Sequence, residues 1–322
     1  MNRPTSRGRW PLAALLLILA LLAGACGGSD DNEPGVDAKA DPGPTKPTHA
    51  AGTKMAEVQS KGKLVVGTKF DQPLFGLKNP VTNKVEGFDV EVAKLVAQAI
   101  FGGTLAEAEA KIEFVETVSA NREPFIQEAK VDMVVATYTI NNARKEKVDF
   151  AGPYYIAGQD ILVKQGDTSV KSVTDLNGKK VCSVTGSTSI NNVKEKAPQA
   201  DISTSFGTYS LCVEALADGR VQAVTTDDII LLGFIADNPG KYQLVKAPFT
   251  TENYGIGVKK GDDAFRTFIN DTLEKSYTSG SWKAAFERTV GKSGQQAPAS
   301  PKVDRYTAGA AAATTTTSTT VR

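Results

Sequence analysis

Histidine is nearly missing from this 322-residue chain; the single one, His49, lies in a Pro/Ala/Lys-rich stretch. A Ser-His-Asp triad or a multi-histidine metal site is therefore all but excluded from a folded region. An enzyme on this chain would have to move protons without imidazole. Charge of one sign is missing too, because 37 basic side chains offset 36 acidic ones, leaving no global field to hold nucleic acid. No Gly-x-x-x-x-Gly-Lys pattern occurs, so nucleotide binding gains no support. Long apolar runs are confined to residues 11–25, too short to cross a bilayer comfortably. What remains, 41% hydrophobic and 23% charged, is a globular composition with room for one large or two modest domains.

The ends of the chain carry the location signals. Arg3, Arg7 and Arg9 precede the uncharged run, which closes on small residues before Cys26. Residues 1–25 read as a signal peptide. The small-small-Cys ending resembles the lipobox of bacterial lipoproteins, with Ala23 where a leucine is expected and Leu22 beside it. This resemblance implies lipidation of Cys26 and anchorage in membrane lipid at the outer face of the cell membrane; the alternative is ordinary secretory cleavage nearby. Residues 26–54 are rich in Gly, Pro, Asp and Ala and read as a disordered tether. The segment 293–322 ends in an Ala/Thr run and is also expected to be unstructured. Residues 55–292 form the foldable part.

Within it, strand and helix patterns alternate. A β-branched run at 62–68 precedes a Pro-containing loop, and Val92, Leu95, Val96 and Ala99 then recur at helical spacing. Further strands are expected at 111–115, 131–137, 160–163, 180–184, 223–226 and 255–258. Helices are expected at 123–129, 189–196, 210–218, 264–277 and 281–289. This alternation argues for α/β architecture with mostly parallel sheets, and for ligand binding where loops converge beyond the strand ends.

Residues 87–100 (GFDVEVAKLVAQAI) resemble the signature segment of family 3 extracellular solute-binding proteins, the polar amino-acid receptors of ABC importers. Asp89 and Glu91 need do no more there than complement the helix dipole. The segments 136–144 (ATYTINNAR) and 148–155 (VDFAGPYY) follow at the expected places, and the resemblance spans nearly all of 55–292. It implies a two-lobed, type II periplasmic-binding-protein-like fold with mixed sheets, helices on both faces and a ligand in the interlobe cleft. Lobe 1 would comprise 55–156 and 248–292, and lobe 2 residues 157–247. The implied protein is a monomeric receptor with no cofactor and no metal. It closes on an amino acid and delivers it to an ABC importer permease.

Recognition of a zwitterion sets the chemistry. A buried α-carboxylate needs charge-assisted donors, and Arg144 occupies the family position for that task, with Thr137 and Thr139 in the loop before it. The bland reading leaves Arg144 in an exposed charge run. An α-ammonium needs an acceptor, for which Asp227 matches the family aspartate. Asp228 is the rival, and either could cap the following helix. Ser187 and Thr188 lie in a Gly/Ser/Thr turn before a helix, a general anion nest or simply a capped turn. Arg122 and Lys69 resemble the cations that read a side-chain carboxylate in glutamate and aspartate binders, so glutamate or aspartate is the expected ligand; both could instead be surface cations. Tyr209 could close over the ligand stem. Phe70, Gln72 and Phe75 are weaker candidates for the wall.

Cys182 and Cys212 are expected to form a disulfide in an oxidising exterior, with buried free thiols as the alternative. Rival functions stay open: a glutamine or asparagine receptor, a sensor for a membrane signalling partner, and an enzyme such as a dehydratase on the same scaffold.

Overall fold

A computed structural model describes residues 46–306. The signal segment, Cys26 and most of the proposed tether lie outside the described residues, as does 307–322.

The chain opens with α1 (Lys54–Lys61) and β1 (Leu64–Thr68), then a small hairpin sheet of β2 (Asp71–Gln72), β3 (Gly76–Lys78) and β4 (Val85–Glu86). Next come α2 (Phe88–Phe101), α3 (Leu105–Glu109), β5 (Ile112–Glu116), α4 (Arg122–Gln127), β6 (Met133–Val134), α5 (Asn142–Lys145) and β7 (Val148–Ala157). β8 (Gln159–Lys164), β9 (Val181–Val184), α6 (Thr188–Lys196), β10 (Ser205–Phe206), α7 (Tyr209–Ala217), β11 (Ala223–Asp227), α8 (Asp228–Asp237) and β12 (Tyr242–Leu244) follow. β13 (Glu252–Lys259), α9 (Asp263–Ser279) and α10 (Ser281–Arg288) complete the fold.

Two five-stranded sheets result, ordered β5-β1-β6-β13-β7 and β10-β9-β11-β8-β12. Both are mixed. β1 runs parallel to β5 and β6, while β13 is antiparallel to β6 and β7. The expectation of mostly parallel sheets is thus corrected by the long β7–β13 pair, whose two strands carry the chain out of the first sheet and back into it. Gly158 follows β7 directly; a Cβ there would stand 3.1 Å from Pro248 Cβ and from the Thr250 carbonyl. The two crossing segments are therefore packed side by side.

Each sheet has an apolar core on both faces. On one face of the first, Phe88 at the start of α2 meets Phe75, Tyr154, Tyr155, Trp282 and Phe286. Gly87 makes that entry possible: its φ is +132°, and a Cβ would stand 2.2 Å from the Phe75 carbonyl oxygen. Cys182 and Cys212 are bonded, tying β9 to α7 across a sequence separation of 30. Closing such a loop contributes about 3 kcal/mol in the chain-entropy view.

Two expectations of disorder fail within the described residues. His49 bonds the Ile100 carbonyl at 2.9 Å and meets the Phe268 ring edge-on, so the last residues of the expected tether pack on α2 and α9. The expected tail is anchored as far as residue 306. Val303 is buried, the Asp304 N–H donates to the Gly152 carbonyl, and the Tyr306 hydroxyl accepts from the Phe150 N–H at 2.7 Å. β7 is an edge strand, and these bonds satisfy backbone groups that would otherwise face water. The Tyr306 ring also lies under Arg266 and Lys145, at 4.4 and 3.9 Å from its centroid. Low apolar content hid this strap, because two anchors hold it.

Tyr306→Ala should lower the unfolding free energy by about 2–4 kcal/mol, through one partly buried hydrogen bond and two cation–π contacts. Tyr306→Phe should cost only the hydrogen-bond part, about 1 kcal/mol. Urea unfolding followed by tryptophan fluorescence measures both, and equal losses would show that the ring contacts contribute nothing.

Candidate functional site

The site lies where β1, β6 and β13 of the first sheet face the helix starts that follow β9 and β11 of the second. The hydrophobic run 131–137 forms a strand only at Met133–Val134. It then leaves the sheet, and Thr137 adopts φ +43°, a left-handed conformation uncommon for a β-branched residue. Buried partners hold this turn. The Thr137 N–H donates to Asp89 Oδ2 at 2.8 Å, its hydroxyl donates to Gln72 Oε1 at 2.9 Å, and its carbonyl accepts from Arg122 at 3.2 Å.

Arg122 opens α4 and is 2% exposed. Its guanidinium also donates to the carbonyls of Ser119 and Ala136, and lies 4.3 Å from the Tyr138 ring centroid. Lys69, at the end of β1, is equally buried and donates to Ser119 Oγ at 2.9 Å. No carboxylate of the described residues lies within ion-pair distance of either cation. Burial, with the Arg122 charge next in weight, pushes the Lys69 ammonium down to about 7.

Arg144 is buried as well, which removes the reading as an exposed charge run. It donates to the Thr139 carbonyl at 2.6 Å and to the Gly186 carbonyl of the second lobe at 3.2 Å, and its Nε faces Glu123 at 3.3 Å. Burial and then the Arg122 charge lower it to about 10.

From the second lobe, Asp227 ends β11 and is 3% exposed. Its Oδ2 accepts from the Tyr254 hydroxyl at 2.5 Å, while Oδ1 has no partner among the described residues. Burial, then Glu252, pushes its carboxyl up to about 8. Asp228 is oriented away from this role, accepting from the N–H groups of Gly158 and Ile229. Asp227 holds the N-cap position of α8 but its side chain makes no cap bond, whereas Asp228, in the first turn, takes the Ile229 N–H. Ser187 does cap α6 through the Ile190 N–H, and its hydroxyl donates to the Val184 carbonyl. The Thr188 hydroxyl reaches Glu252 on β13 at 3.1 Å.

Ser119, Arg122, Thr137, Thr139, Ser187, Thr188, Ser189, Tyr209, Thr226, Asp227 and Ile230 line one cavity of about 10 Å³ between the lobes. That volume is water-sized, so the lobes must part and side chains withdraw to admit an amino acid. Seven of the nine expected ligand residues line it. Lys69 stands behind Ser119, and Arg144 lines an outer hollow with Lys147 and Lys194 that shares Ser187 and Thr188 with this cavity. Phe75 sits instead in the aromatic core, and Phe70 in a separate surface hollow with Lys78. Sequence reasoning missed Ser119, Ser189, Thr226, Tyr254 and Glu252; only Ser119, within the segment read for Arg122, had a usable signal. Asp89 was underestimated. It is fully buried and also accepts from the Tyr154 hydroxyl, while burial raises its carboxyl to about 7.

No cluster of metal-ligating side chains occurs among the described residues. The arrangement offers buried donors for anions and a buried acceptor for a cation.

The model of the bacterial extracellular solute-binding proteins, family 3, matches residues 64–292. The ABC transporter glutamine-binding protein GlnH of Bacillus subtilis is 40% identical over 87% of this chain and 96% of its own length. The glutamate-binding protein GluB of Corynebacterium glutamicum is 42% identical over 72% of this chain and 79% of its own. Among solved structures, an ancestral arginine-binding protein bound to glutamine superposes with a TM-score of 0.65 at 38% identity, covering 71% of this chain and 98% of that one.

An acid whose carboxyl is raised above its unfolded value stabilises the fold below that value and loses the contribution as pH rises through the raised one. For Asp227 the window runs from about 4 to about 8. Asp227→Asn should therefore raise the ligand-free melting temperature more at pH 8 than at pH 5. A gain independent of pH would contradict the buried-carboxylate assignment.

Proposed function

Because the chain belongs to family 3 of the bacterial extracellular solute-binding proteins, we propose that it is the amino-acid receptor of an ABC importer and that its preferred ligand is glutamate or aspartate. The observation that carries this reading is the pair Lys69 and Arg122, buried together with no carboxylate of the described residues within ion-pair distance. A ligand side-chain carboxylate supplies the missing charge. An amide could accept hydrogen bonds there but would leave the Arg122 guanidinium, and Lys69 whenever it is protonated, without a carboxylate in contact in a dry site.

Arg144, with Thr137 and Thr139, takes the α-carboxylate from lobe 1, and Ser187 and Thr188 approach it from the α6 start in lobe 2. Asp227 takes the α-ammonium through its unpartnered oxygen, and Tyr209 covers the stem. Since acceptor and donors belong to different lobes, the ligand contacts all of them only after closure, and so shifts the population toward the closed state. The family consists of solute-binding proteins, and binding, with no reaction, accounts for each group named. The lipobox-like segment before Cys26 supports an anchor in the outer face of the membrane, with a monomer presented to the permease.

A glutamine receptor is the second reading, favoured by the names of the Bacillus subtilis relative and of the glutamine-binding protein of Geobacillus stearothermophilus, 38% identical over 81% of this chain.

Calorimetric titration of the mature protein with glutamate, aspartate, glutamine and asparagine separates the two. The acids should bind more tightly than the amides. Arg122→Ala should weaken the acids by about thirtyfold or more, the cost of truncating one side of a buried charge pair, and the amides much less. Tight glutamine binding with failure of both acids would overturn the selectivity.

A further inference from the structure

α7 lacks a cap of its own. Thr208 holds the N-cap position with extended backbone, yet its side chain makes no cap bond. The acceptor comes from the other lobe: Asp71 Oδ2, on β2, takes the Tyr209 N–H at 2.8 Å and the Ser210 N–H at 3.4 Å, across 138 and 139 residues of sequence. A carboxylate at this position also meets the positive end of the helix dipole.

A second contact arises two residues further along the same loop. Gly233 lies inside α8, where glycine costs about 1 kcal/mol against alanine. Its backbone is ordinary for a helix, but a Cβ would stand 2.4 Å from the Pro73 carbonyl oxygen. The missing side chain is what lets α8 approach the 71–73 loop. Neither Asp71 nor Gly233 lines the ligand cavity.

We infer that Asp71 is a positioning residue for lobe closure: it caps α7 in trans, so the first turn of that helix, which carries Tyr209 into the cleft, is completed only when the lobes meet. The inference rests on closure about a ligand, acid or amide; the Asp71 charge also acts on Lys69, so the capping role is the part that Asp71→Asn keeps and Asp71→Ala loses. Its consequence is an affinity set partly outside the ligand site. A contact present only in the closed state slows release while leaving the preference among ligands untouched.

The test is titration and stopped-flow release with L-glutamate and L-glutamine on the full mature protein. Measured against Asp71→Asn, which removes the same charge but keeps a capping acceptor, Asp71→Ala should raise the dissociation constant by about two- to thirtyfold, the range of a lost N-cap, by the same factor for each ligand that binds and mainly through faster release. Asp71→Asn, an equally good capping residue, should retain most of the affinity. Gly233→Ala should weaken binding in the same ligand-independent way while the ligand-free melting temperature holds or rises, since alanine favours the helix. Adding Thr208→Asp to Asp71→Ala supplies a cap within lobe 2 and should not restore affinity. Restoration by that second change, equal dissociation constants in Asp71→Ala and Asp71→Asn, or a ratio between the two ligands that differs between those two variants would each overturn the inference. Failure of the acid preference alone would shift the ratio in the wild type and leave these factors as they are.

Discussion

An ammonium and a guanidinium buried side by side, with only neutral oxygens to bond, cost free energy that burial of apolar surface elsewhere must offset. Lys69 and Arg122 stand in this relation, with Arg144 close enough to feel the second charge. The geometry around them is built to tolerate the strain. Arg122 is held by three carbonyls and the Tyr138 ring, and Asp89 anchors the turn that supplies two of those carbonyls. On the proposed reading, a ligand side-chain carboxylate would relieve that repulsion within the first lobe.

The opposite sign is arranged across the cleft. Asp227 is carried by the second sheet and meets Tyr254 of the first, leaving one oxygen unmatched. Cations thus come from one lobe and the acceptor from the other. The long β7–β13 pair lets this happen, because both crossings run beside each other and leave the facing ends of the two sheets to approach as units. Asp71 and the Pro73 carbonyl extend the approach to the starts and faces of α7 and α8, outside the ligand cavity.

Much of the fold was legible because apolar periodicity reports locally. Of the four residues chosen for helical spacing, Val92, Leu95 and Val96 are buried in α2 and Ala99 is partly buried. The site was legible mainly through resemblance at residues 87–100 and 136–155. Features that depend on distant partners were not. Asp89 reads as a dipole complement until Thr137 and Tyr154, 48 and 65 residues away, come to it. Residues 131–137 read as a continuous strand, since burial alone does not reveal that Thr137 turns away in a left-handed conformation. The strap to Tyr306 is polar and sparse, and its order comes from two side chains clamping a ring that no local pattern announces.

The most direct measurement is the ratio of glutamate to glutamine affinity in Lys69→Met, which keeps the stem length and removes the charge. The expected result is a large fall in glutamate affinity with glutamine within a few-fold of the wild type, so that the ratio collapses. Equal losses for both ligands, or a ratio unchanged from the wild type, would contradict a cleft organised around unpaired buried cations.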